Sequence, residues 1–526
     1  MTEPPRSAIG WLPHLWQTVL FPPADALPTR VYLGRFLLVA LLPAVLLYPC
    51  RGFMLLEPDE GRYAQIAKEL LDRDAWVVPT LQGEPYLDKP PLFYWLVKLS
   101  YQAFGVSEAS ARLVPAACVH ITILLVYLLG RRSVGEKAAF WAALLLTASP
   151  GYLGVARLLL LDGLLTLCVT ASVLCGYEAV RGGRLRWGWW VAAAVASGMG
   201  FLTKGPISEV LLFPPLLAVG WLGGTSARVG WRGCLGFAAV VVAVNLPWYV
   251  AMYRVRPEFL GHFFWEHNVL RFVKPFDHLQ PVWYYVPVLL GGFLPGVVVG
   301  LPHLRGLLFD PTPLARQTRT PAGGFWLLAG LWCVAFFSVS GSKLPTYILP
   351  ALPPLALALG EFVARSRWDR STAFRGMLGT FATLLAAWHF VGMPWYARER
   401  SPMRLPERVV PWLSDPATPV VTYPRNVDSV AFYTGRSDLR RVRSADVNQM
   451  IVDSMGRPRT VVLFTHDHSL AAFRHALPPE VRVAEVIPVR DRRAKGVLGW
   501  LTGGGAWGLC DIAVLEPVFV VRGATP

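Results

Sequence analysis

Long apolar segments recur along most of this 526-residue chain, and charged residues collect between them. Hydrophobic residues make up 54% of the sequence and the mean hydropathy is positive, which is typical of a polytopic helical membrane protein. The pattern predicts eleven to thirteen spans, of which eleven are well delimited: 31–49, 111–131, 137–150, 162–180, 187–203, 206–222, 231–252, 282–302, 324–340, 345–363 and 374–394.

Basic residues lie in alternate loops between these segments. They are Arg131, Arg132 and Lys137, then Arg181, Arg184 and Arg186, then Arg228 and Arg232, then Arg305, Arg316 and Arg319, and finally Arg365, Arg367, Arg370 and Arg375. Because basic loops stay on the cytoplasmic side of a membrane, we expect the N-terminus in the cytoplasm. An odd number of spans then brings the opposite loops and the C-terminal segment to the non-cytoplasmic side.

Two further helical segments follow the first span without crossing the membrane. Residues 61–72 are amphipathic, and residues 90–104 are apolar but short and interrupted by Lys98. We predict two juxtamembrane helices along the membrane surface, where aromatic rings and a snorkelling lysine are stable.

The C-terminal segment differs in composition from the rest of the chain, because short apolar runs alternate there with polar, turn-rich stretches. These runs are 419–423, 460–464, 481–489 and 512–521. About 130 residues are enough for a separate core. The predicted fold class is therefore mainly α, with a polytopic membrane domain over 1–396 and a small soluble α/β domain over 397–526.

The unusual charged residues gather on the predicted non-cytoplasmic side. The cations are Arg62, Lys89, Lys204, Arg254, Arg256, Arg271, Lys274 and Lys343, and the acids are Asp59, Glu60, Asp88 and Asp162. This excess of Lys and Arg predicts a site for phosphate groups. The sequence has no Walker loop or glycine-rich phosphate cradle. We therefore expect no nucleotide, and a substrate that arrives on a lipid carrier.

Five motifs, in a fixed order, cover most of the membrane domain from about 55 to 360. They are EPDEGRYAQIAKEL…PYLDKPPLFYWL (57–96), ARLLLLDGLLT (156–166), FLTKGP (201–206), FFWEHNVLRF (263–272) and GSKLPTYILPALPPLA (341–356). Together they resemble the protein O-mannosyltransferase-like membrane glycosyltransferases, whose bacterial members include the lipid A aminoarabinose transferases. The resemblance implies a GT-C fold with two juxtamembrane helices after the first span.

The resemblance also implies a reaction and its residues. Such enzymes transfer a sugar from a polyprenyl-phosphate carrier with inversion at the anomeric carbon. Asp59 matches the key acid of the first loop, and Asp162 is a second catalytic candidate. The remaining candidates bind substrate, with the cations on the carrier phosphate and the tyrosines on phosphate or sugar: Glu60, Arg62, Tyr86, Lys89, Lys204, Arg271, Lys343 and Tyr347.

A divalent metal ion is implied in the same way. The metal position between the first loop and a later periplasmic loop corresponds to Asp88, where a glutamate is usual, and to Glu266 with the adjacent His267. A carboxylate and an imidazole can hold zinc or a softer set of divalent ions. These substitutions leave the identity of the metal, and its presence, open.

Structural roles remain open for several of these residues. Asp59 and Glu60 could cap the helix that begins near residue 61, and Asp88 could pair locally with Lys89. Asp162 could pair with Arg157, and His267 could be a hydrogen-bonded structural histidine. The tail motif at 466–468 (His-Asp-His) has no third ligand nearby and is interpreted as a solvated loop.

The hypothesis is a monomeric, inverting glycosyltransferase of the bacterial inner membrane, surrounded by membrane lipids and active at the periplasmic face. Its donor is an undecaprenyl-phosphate-linked sugar and its acceptor a lipid A phosphate, with aminoarabinose as the specific sugar. The first alternative is a relative that moves another sugar to lipopolysaccharide, another glycolipid or protein. A flippase would show repeat symmetry and charges on both faces, and a sensor would depend on its tail. The net charge of +16 is spread over loops, not in a groove for nucleic acid.

Overall fold

The computed structural model describes residues 28–222, 226–274, 278–309, 320–465, 469–488 and 511–518. They form two compact units. The first contains the described residues within Met1–Cys50, Leu87–Phe93 and Arg112–Ala387, and the second those within Arg51–Tyr86, Tyr94–Ala111 and Trp388–Pro526. Each unit therefore combines segments that are distant in the sequence.

Helices dominate up to residue 400. They are α1 (Thr29–Leu47), α2 (Asp59–Asp72), α3 (Leu92–Phe104), α4 (Glu108–Leu128), α5 (Arg131–Val134), α6 (Glu136–Thr147), α7 (Leu161–Val180), α8 (Trp187–Lys204), α9 (Ile207–Leu217), α10 (Trp231–Val255), α11 (Glu258–Leu260), α12 (Arg271–Val273), α13 (Tyr285–Gly292), α14 (Gly296–Phe309), α15 (Pro321–Val339), α16 (Leu352–Arg365), α17 (Thr372–Ala387) and α18 (Met393–Arg400). Wider π-helical turns occupy Pro150–Val155, Gly261–Leu270 and Trp388–Gly392.

Among the described residues, seven helical stretches are long and apolar enough to cross a membrane. They are Thr29–Leu47, Glu108–Val134, Leu161–Val180, Trp231–Val255, Pro321–Val339, Pro345–Arg365 and Thr372–Arg400. An eighth span is possible if the bent pair Val282–Gly292 and Gly296–Phe309 counts as one crossing. The chain is a multi-pass membrane protein, as predicted.

The remaining predicted spans form helices that do not meet the same criteria. Helix α6 has 12 residues, which is about 18 Å and too short for a bilayer of about 30 Å. Helix α8 has 18 residues, including three tryptophans and three glycines that lower its hydropathy. Helix α9 ends after 11 residues, with two prolines in its last turn.

The core of the first unit surrounds α7, of which 89% of the span is buried. Ser149, just before a π-helical turn, donates its hydroxyl to the carbonyl of Gly292 at 2.6 Å. Gly151 lies directly against Gly292, so that a Cβ at 151 would come within 2.6 Å of the Gly292 oxygen. This backbone contact occurs where α13 ends, before the 117° bend that leads into α14.

The second unit contains the predicted C-terminal α/β fold. After residue 400 its helices are α19 (Pro406–Leu413), α20 (Asp428–Thr434), α21 (Val447–Met455) and α22 (Ser469–Ala476). Its strands are β3 (Val420–Tyr423), β4 (Arg440–Arg441), β5 (Thr460–Phe464), β6 (Val481–Pro488) and β7 (Asp511–Pro517). These strands form one five-stranded sheet in the order β4-β3-β5-β7-β6. Strand β3 pairs in parallel with β4 and β5, and β7 runs antiparallel to β5 and β6. The four apolar runs of the sequence are four of these strands, and β4 is the one that lacks an apolar run.

The two predicted helices after the first span are α2 and α3. A hairpin of β1 (Thr80–Leu81) and β2 (Glu84–Pro85) connects them. The expected snorkelling of Lys98 is wrong: its side chain is fully buried, and its Nζ lies 3.0 Å from Asp74 Oδ1 and 4.0 Å from the centre of the Trp76 ring. The ion pair and the aromatic ring replace the water that a buried ammonium group loses.

Candidate active site

A carboxylate and two imidazoles meet within the first unit. Asp88 Oδ1 lies 3.2 Å from His262 Nε2 and 3.1 Å from His267 Nε2. One ligand atom from each of the three residues lies within 4.8 Å of the others. Burial opposes ionisation, but hydrogen bonds from the histidines and the charge of Lys89 hold the pKa of Asp88 well below its usual range. These are the donor atoms that zinc prefers.

The π-helical segment Gly261–Leu270 brings the two histidines together. In a π-helix residues five apart share a face, and the rings of His262 and His267 are 4.7 Å apart. The predicted metal residue Glu266 is not one of the three converging groups. Its Oε2 instead accepts from His262 Nδ1 at 2.7 Å, the kind of contact that orients a metal-ligating histidine. His262 was missed, although its spacing of four from Glu266 is a helical one.

Asp162 and Lys204 form an ion pair in the same unit. Asp162 lies in the first turn of α7 and is buried, and its Oδ1 accepts from Lys204 Nζ at 2.6 Å. Lys204 is the last residue of α8, and its Nζ also lies 4.5 Å above the ring of Tyr347. Arg157, the partner considered for Asp162, donates to the carbonyl of Cys50 at 2.5 Å.

A cavity of about 380 Å³ joins several predicted residues, within the range of small-molecule sites. Its polar lining includes Lys89, Lys204, His267, Asn268 and Tyr347. The other part of the lining is apolar and includes Val210, Val269, Phe272, Phe336 and Phe337. One cavity thus offers two cations and an apolar wall.

Lys343 and Arg271 were also predicted to bind the carrier phosphate. Lys343 is buried, and its Nζ donates to the carbonyl oxygens of Gln280, at 2.9 Å, and of Ser340. These contacts join two loops of the first unit. Arg271 begins the short helix α12, but its side chain lies outside the described residues, as does the motif at 466–468.

Four predicted residues of the first loop, Asp59, Glu60, Arg62 and Tyr86, lie in the second unit. Asp59 begins α2 with 38% of its side chain exposed, and its Oδ1 accepts from Arg62 Nη1 at 3.4 Å. Glu60 is buried and accepts from the backbone N–H of Leu56 at 2.9 Å. Glu60 therefore holds the turn that precedes α2, whereas the carboxylate of Asp59 faces Arg62. Burial lowers the pKa of Arg62, but the negative charges of its neighbours, the ionised forms of Tyr86 and Tyr63 together with Asp59 and Asp428, raise it overall.

A buried carboxylate pair beside this loop was not predicted. Glu57 Oε1 accepts from the backbone N–H of Ser429 at 2.7 Å, and Asp428 Oδ2 lies 3.9 Å from Arg62 Nε. Burial, and then the charge of Asp428, raise the pKa of Glu57 to about 8. No local signal in the sequence connects residues more than 350 positions apart.

The chain is similar in sequence to known membrane glycosyltransferases. Residues 88–248 match the family model described as dolichyl-phosphate-mannose-protein mannosyltransferase. An undecaprenyl phosphate-alpha-4-amino-4-deoxy-L-arabinose arabinosyl transferase of Pseudomonas aeruginosa (strain UCBPP-PA14) is 31% identical over 471 residues, which are 85% of this chain and 82% of the relative. The chain belongs to this arabinosyl transferase family.

Other relatives agree over shorter regions. An arabinosyl transferase of the same name from Pseudomonas fluorescens (strain Pf0-1) is 35% identical over 383 residues, which cover 71% of this chain and 64% of the relative. The match thus spans a little less than two thirds of that relative's length.

Solved structures identify the fold of this family member. ArnT from Cupriavidus metallidurans, in a crystal structure bound to undecaprenyl phosphate, has a TM-score of 0.70 at 21% identity and covers 94% of this chain and 99% of that one. The arabinofuranosyltransferase AftD from Mycobacteria gives a TM-score of 0.53 at 13% identity, over 94% of this chain and 40% of its own. The predicted GT-C fold is confirmed.

Proposed function

We propose that this chain transfers 4-amino-4-deoxy-L-arabinose from undecaprenyl phosphate to a phosphate group of lipid A. The names of the relatives at 31% and 35% identity support this donor and sugar. The lipid A acceptor rests on the resemblance of the sequence motifs. Active site and C-terminal segment are proposed to face the periplasm of the inner membrane, on the basis of the basic loops.

The observation that carries the proposal is the two-sided lining of the 380 Å³ cavity. Lys89 and Lys204 suit the carrier phosphate, because ammonium groups bind phosphate as point charges. Phe336 and Phe337 suit the adjoining isoprenoid units, which are apolar. A soluble sugar nucleotide would leave such an apolar wall without a function.

In the proposed reaction, an oxygen of the lipid A phosphate attacks the anomeric carbon. The bond between that carbon and the carrier phosphate breaks, and its electron pair stays on the departing phosphate oxygen. Lys89, Lys204 and Arg271 are proposed to stabilise this charge, which preorganised cations do effectively away from bulk water. The ion pair with Asp162 would hold Lys204 in place for this role.

Asp59 is proposed to orient groups at the reacting centre. An acceptor phosphate is already anionic, so the reaction needs no base to remove a proton. An acceptor hydroxyl would lose a proton on attack, and Asp59 would then act as the general base. The Arg62 contact at 3.4 Å would hold the Asp59 carboxylate in place in either case.

Asp88, His262 and His267 fit a divalent metal ion such as zinc. Their donor atoms converge, and His267 Nδ1 is buried without a hydrogen-bond partner among the described residues. A bound ion would supply positive charge to an anionic substrate. Glu266 would orient His262 from the outside.

The test uses the purified full-length enzyme in lipid nanodiscs with undecaprenyl-phosphate-aminoarabinose and lipid A. The expected product is lipid A whose mass has increased by one aminoarabinose residue. Turnover with another lipid-linked sugar, and no aminoarabinose product, would refute the specific sugar but keep the glycosyltransferase assignment. Movement of the intact donor across the bilayer without transfer would instead identify a flippase.

Single substitutions test the residues. Asp59→Asn, Lys89→Ala and Lys204→Ala should each reduce transfer by about 10²- to 10³-fold, as removal of one charge-stabilising group does in other active sites. Lys68→Ala is the matched control, since Lys68 pairs with the exposed Asp72 at the end of α2 away from Asp59. Transfer at control rates in all three variants would refute the proposed site.

A further inference from the structure

The C-terminal segment reaches the first loop at the start of α20. Asp428 and Ser429 begin this helix, and both are buried. The backbone N–H of Ser429 donates to Glu57, two residues before Asp59, and Asp428 Oδ2 lies 3.9 Å from Arg62 Nε. Residues of the first loop and of the C-terminal segment thus form one charged cluster.

Gly61 marks how closely the two segments approach. A Cβ at this position would lie 2.6 Å from the backbone nitrogen of Ser429 and 2.7 Å from Glu57 Oε1. Real Cβ atoms do not approach other atoms so closely, so the contact requires glycine here. The first turn of α2 therefore packs directly on the first turn of α20.

Arg62 connects this cluster to the proposed catalytic carboxylate. Its Nη1 lies 3.4 Å from Asp59 Oδ1, and its Nε faces Asp428. One planar guanidinium group can contact two carboxylates at once because its donors have a fixed geometry. Gln82 contacts the other oxygen of Asp428 at 3.5 Å, and Arg441 and Asn426 also interact with this carboxylate.

We propose that Asp428 is a positioning residue for the transfer reaction. It holds Arg62 in the orientation that fixes the carboxylate of Asp59, with Glu57 and Ser429 keeping α20 against the loop. The C-terminal segment then completes the catalytic loop instead of serving as a separate module. This inference rests on the proposed function of Asp59.

The charge balance of the cluster agrees with this role. Two carboxylates and one guanidinium group are buried together, and such a group is stable when one carboxylate is protonated. Burial raises the pKa of both carboxyl groups, and that of Glu57, beside the charge of Asp428, rises to about 8. Arg62 and Gln82 oppose the rise at Asp428, so we assign the proton to Glu57 and the negative charge to Asp428.

The test measures kcat and the donor KM of Asp428→Asn, Arg62→Ala and the double variant. Loss of a hydrogen-bonded charge of this kind predicts a kcat about 10- to 100-fold lower for Asp428→Asn, with an unchanged donor KM. Because Asp428 acts through Arg62, the double variant should be no slower than Arg62→Ala alone. Asp453→Asn, an exposed carboxylate of α21 paired with Arg440, is the control.

Wild-type kcat in Asp428→Asn, or a double variant whose loss is the product of the single losses, would overturn the inference. Asp59→Asn separates it from the proposed function: wild-type rates in that variant overturn the role of Asp59 and this inference with it. If Asp428→Asn is not monodisperse, Arg62→Lys gives the answer, since lysine keeps the charge but cannot contact both carboxylates. Wild-type kcat in Arg62→Lys would overturn the positioning role.

Discussion

At the scale of single residues, the predicted metal ligands and the three side chains that converge in the structure differ in one member. Asp88 and His267 are both present in the cluster, but His262 takes the place given to Glu266. An α-helical reading puts 262 and 266 on one face, whereas the π-helical turn adds 267 to that face. The types of these residues were thus predictable, and the particular side chains that converge were not, because local helix geometry decides which of them share a face.

Loss of either histidine should remove the metal. His262→Ala or His267→Ala leaves two ligands, too few for the closed sites in which zinc is retained. We expect zinc bound after dialysis to fall from stoichiometric to trace amounts, as measured by elemental analysis. His475→Ala is the control, since His475 is exposed on α22. Full zinc content in both cluster variants would show that the ion, if present, binds elsewhere.

Glu57 should make the stability of the protein depend on pH. Its pKa is raised from 4.5 to about 8 in the folded protein, so the folded state binds this proton more tightly than the unfolded state. The stabilising contribution is full below about 4.5 and is lost as the pH rises to about 8. The charged groups that face Glu57 are Asp428 and Arg62.

The measurement is thermal unfolding of wild type and Glu57→Gln in detergent across this pH range. Gln imitates the protonated carboxyl group, so Glu57→Gln should lose less stability than wild type as the pH rises. Glu485→Gln, at an exposed position of β6, should behave as wild type. Identical pH profiles for wild type and Glu57→Gln would contradict the prediction.

At the scale of helices and strands, the apolar pattern predicted where helices form better than whether each one crosses the membrane. The predicted span 282–302 is interrupted by a 117° bend. The sequence contains a signal for this bend in Gly291, Gly292 and Pro295, but hydropathy averaged over a window hides it. Strand β4 was missed because its two arginines are exposed and a short edge strand needs no apolar residues.

Gly151→Ala should destabilise the first unit. The added methyl group would come within 2.6 Å of the Gly292 oxygen and 2.8 Å of its Cα, and backbone atoms cannot move aside as a flexible side chain can. Overpacking of this kind costs about 1–3 kcal/mol, which should appear as a lower unfolding temperature. Gly376→Ala in α17, where a Cβ meets nothing within 4 Å, should be neutral or stabilising by up to about 1 kcal/mol. Equal unfolding temperatures for the two variants would refute the contact.

At the scale of the whole molecule, family and fold were predictable because five ordered motifs and the hydropathy pattern extend over most of the chain. The predicted boundary between 396 and 397 remains a prediction. What no sequence pattern indicated is that Arg51–Tyr86 and the C-terminal segment belong to one compact unit. Among the contacts responsible, the backbone N–H of Leu55 donates to the Tyr433 hydroxyl at 2.9 Å. Tyr101, from the segment Tyr94–Ala111 of the same unit, has its ring centre 6.4 Å from that of Phe432. Both contacts join residues that are far apart in the sequence.

Removal of residues 397–526 should therefore loosen the first loop. Helix α2 buries Tyr63, Ala64, Ile66, Ala67 and Leu70 within the second unit, and without α20 part of this apolar face would be exposed to water. Hydrogen exchange should become faster across residues 60–72 of the truncated protein. Exchange in α7 is the internal reference, since its burial arises from contacts within the first unit. Unchanged protection of α2 after truncation would mean that the loop is held without the C-terminal segment, and Asp428 could not then position Arg62.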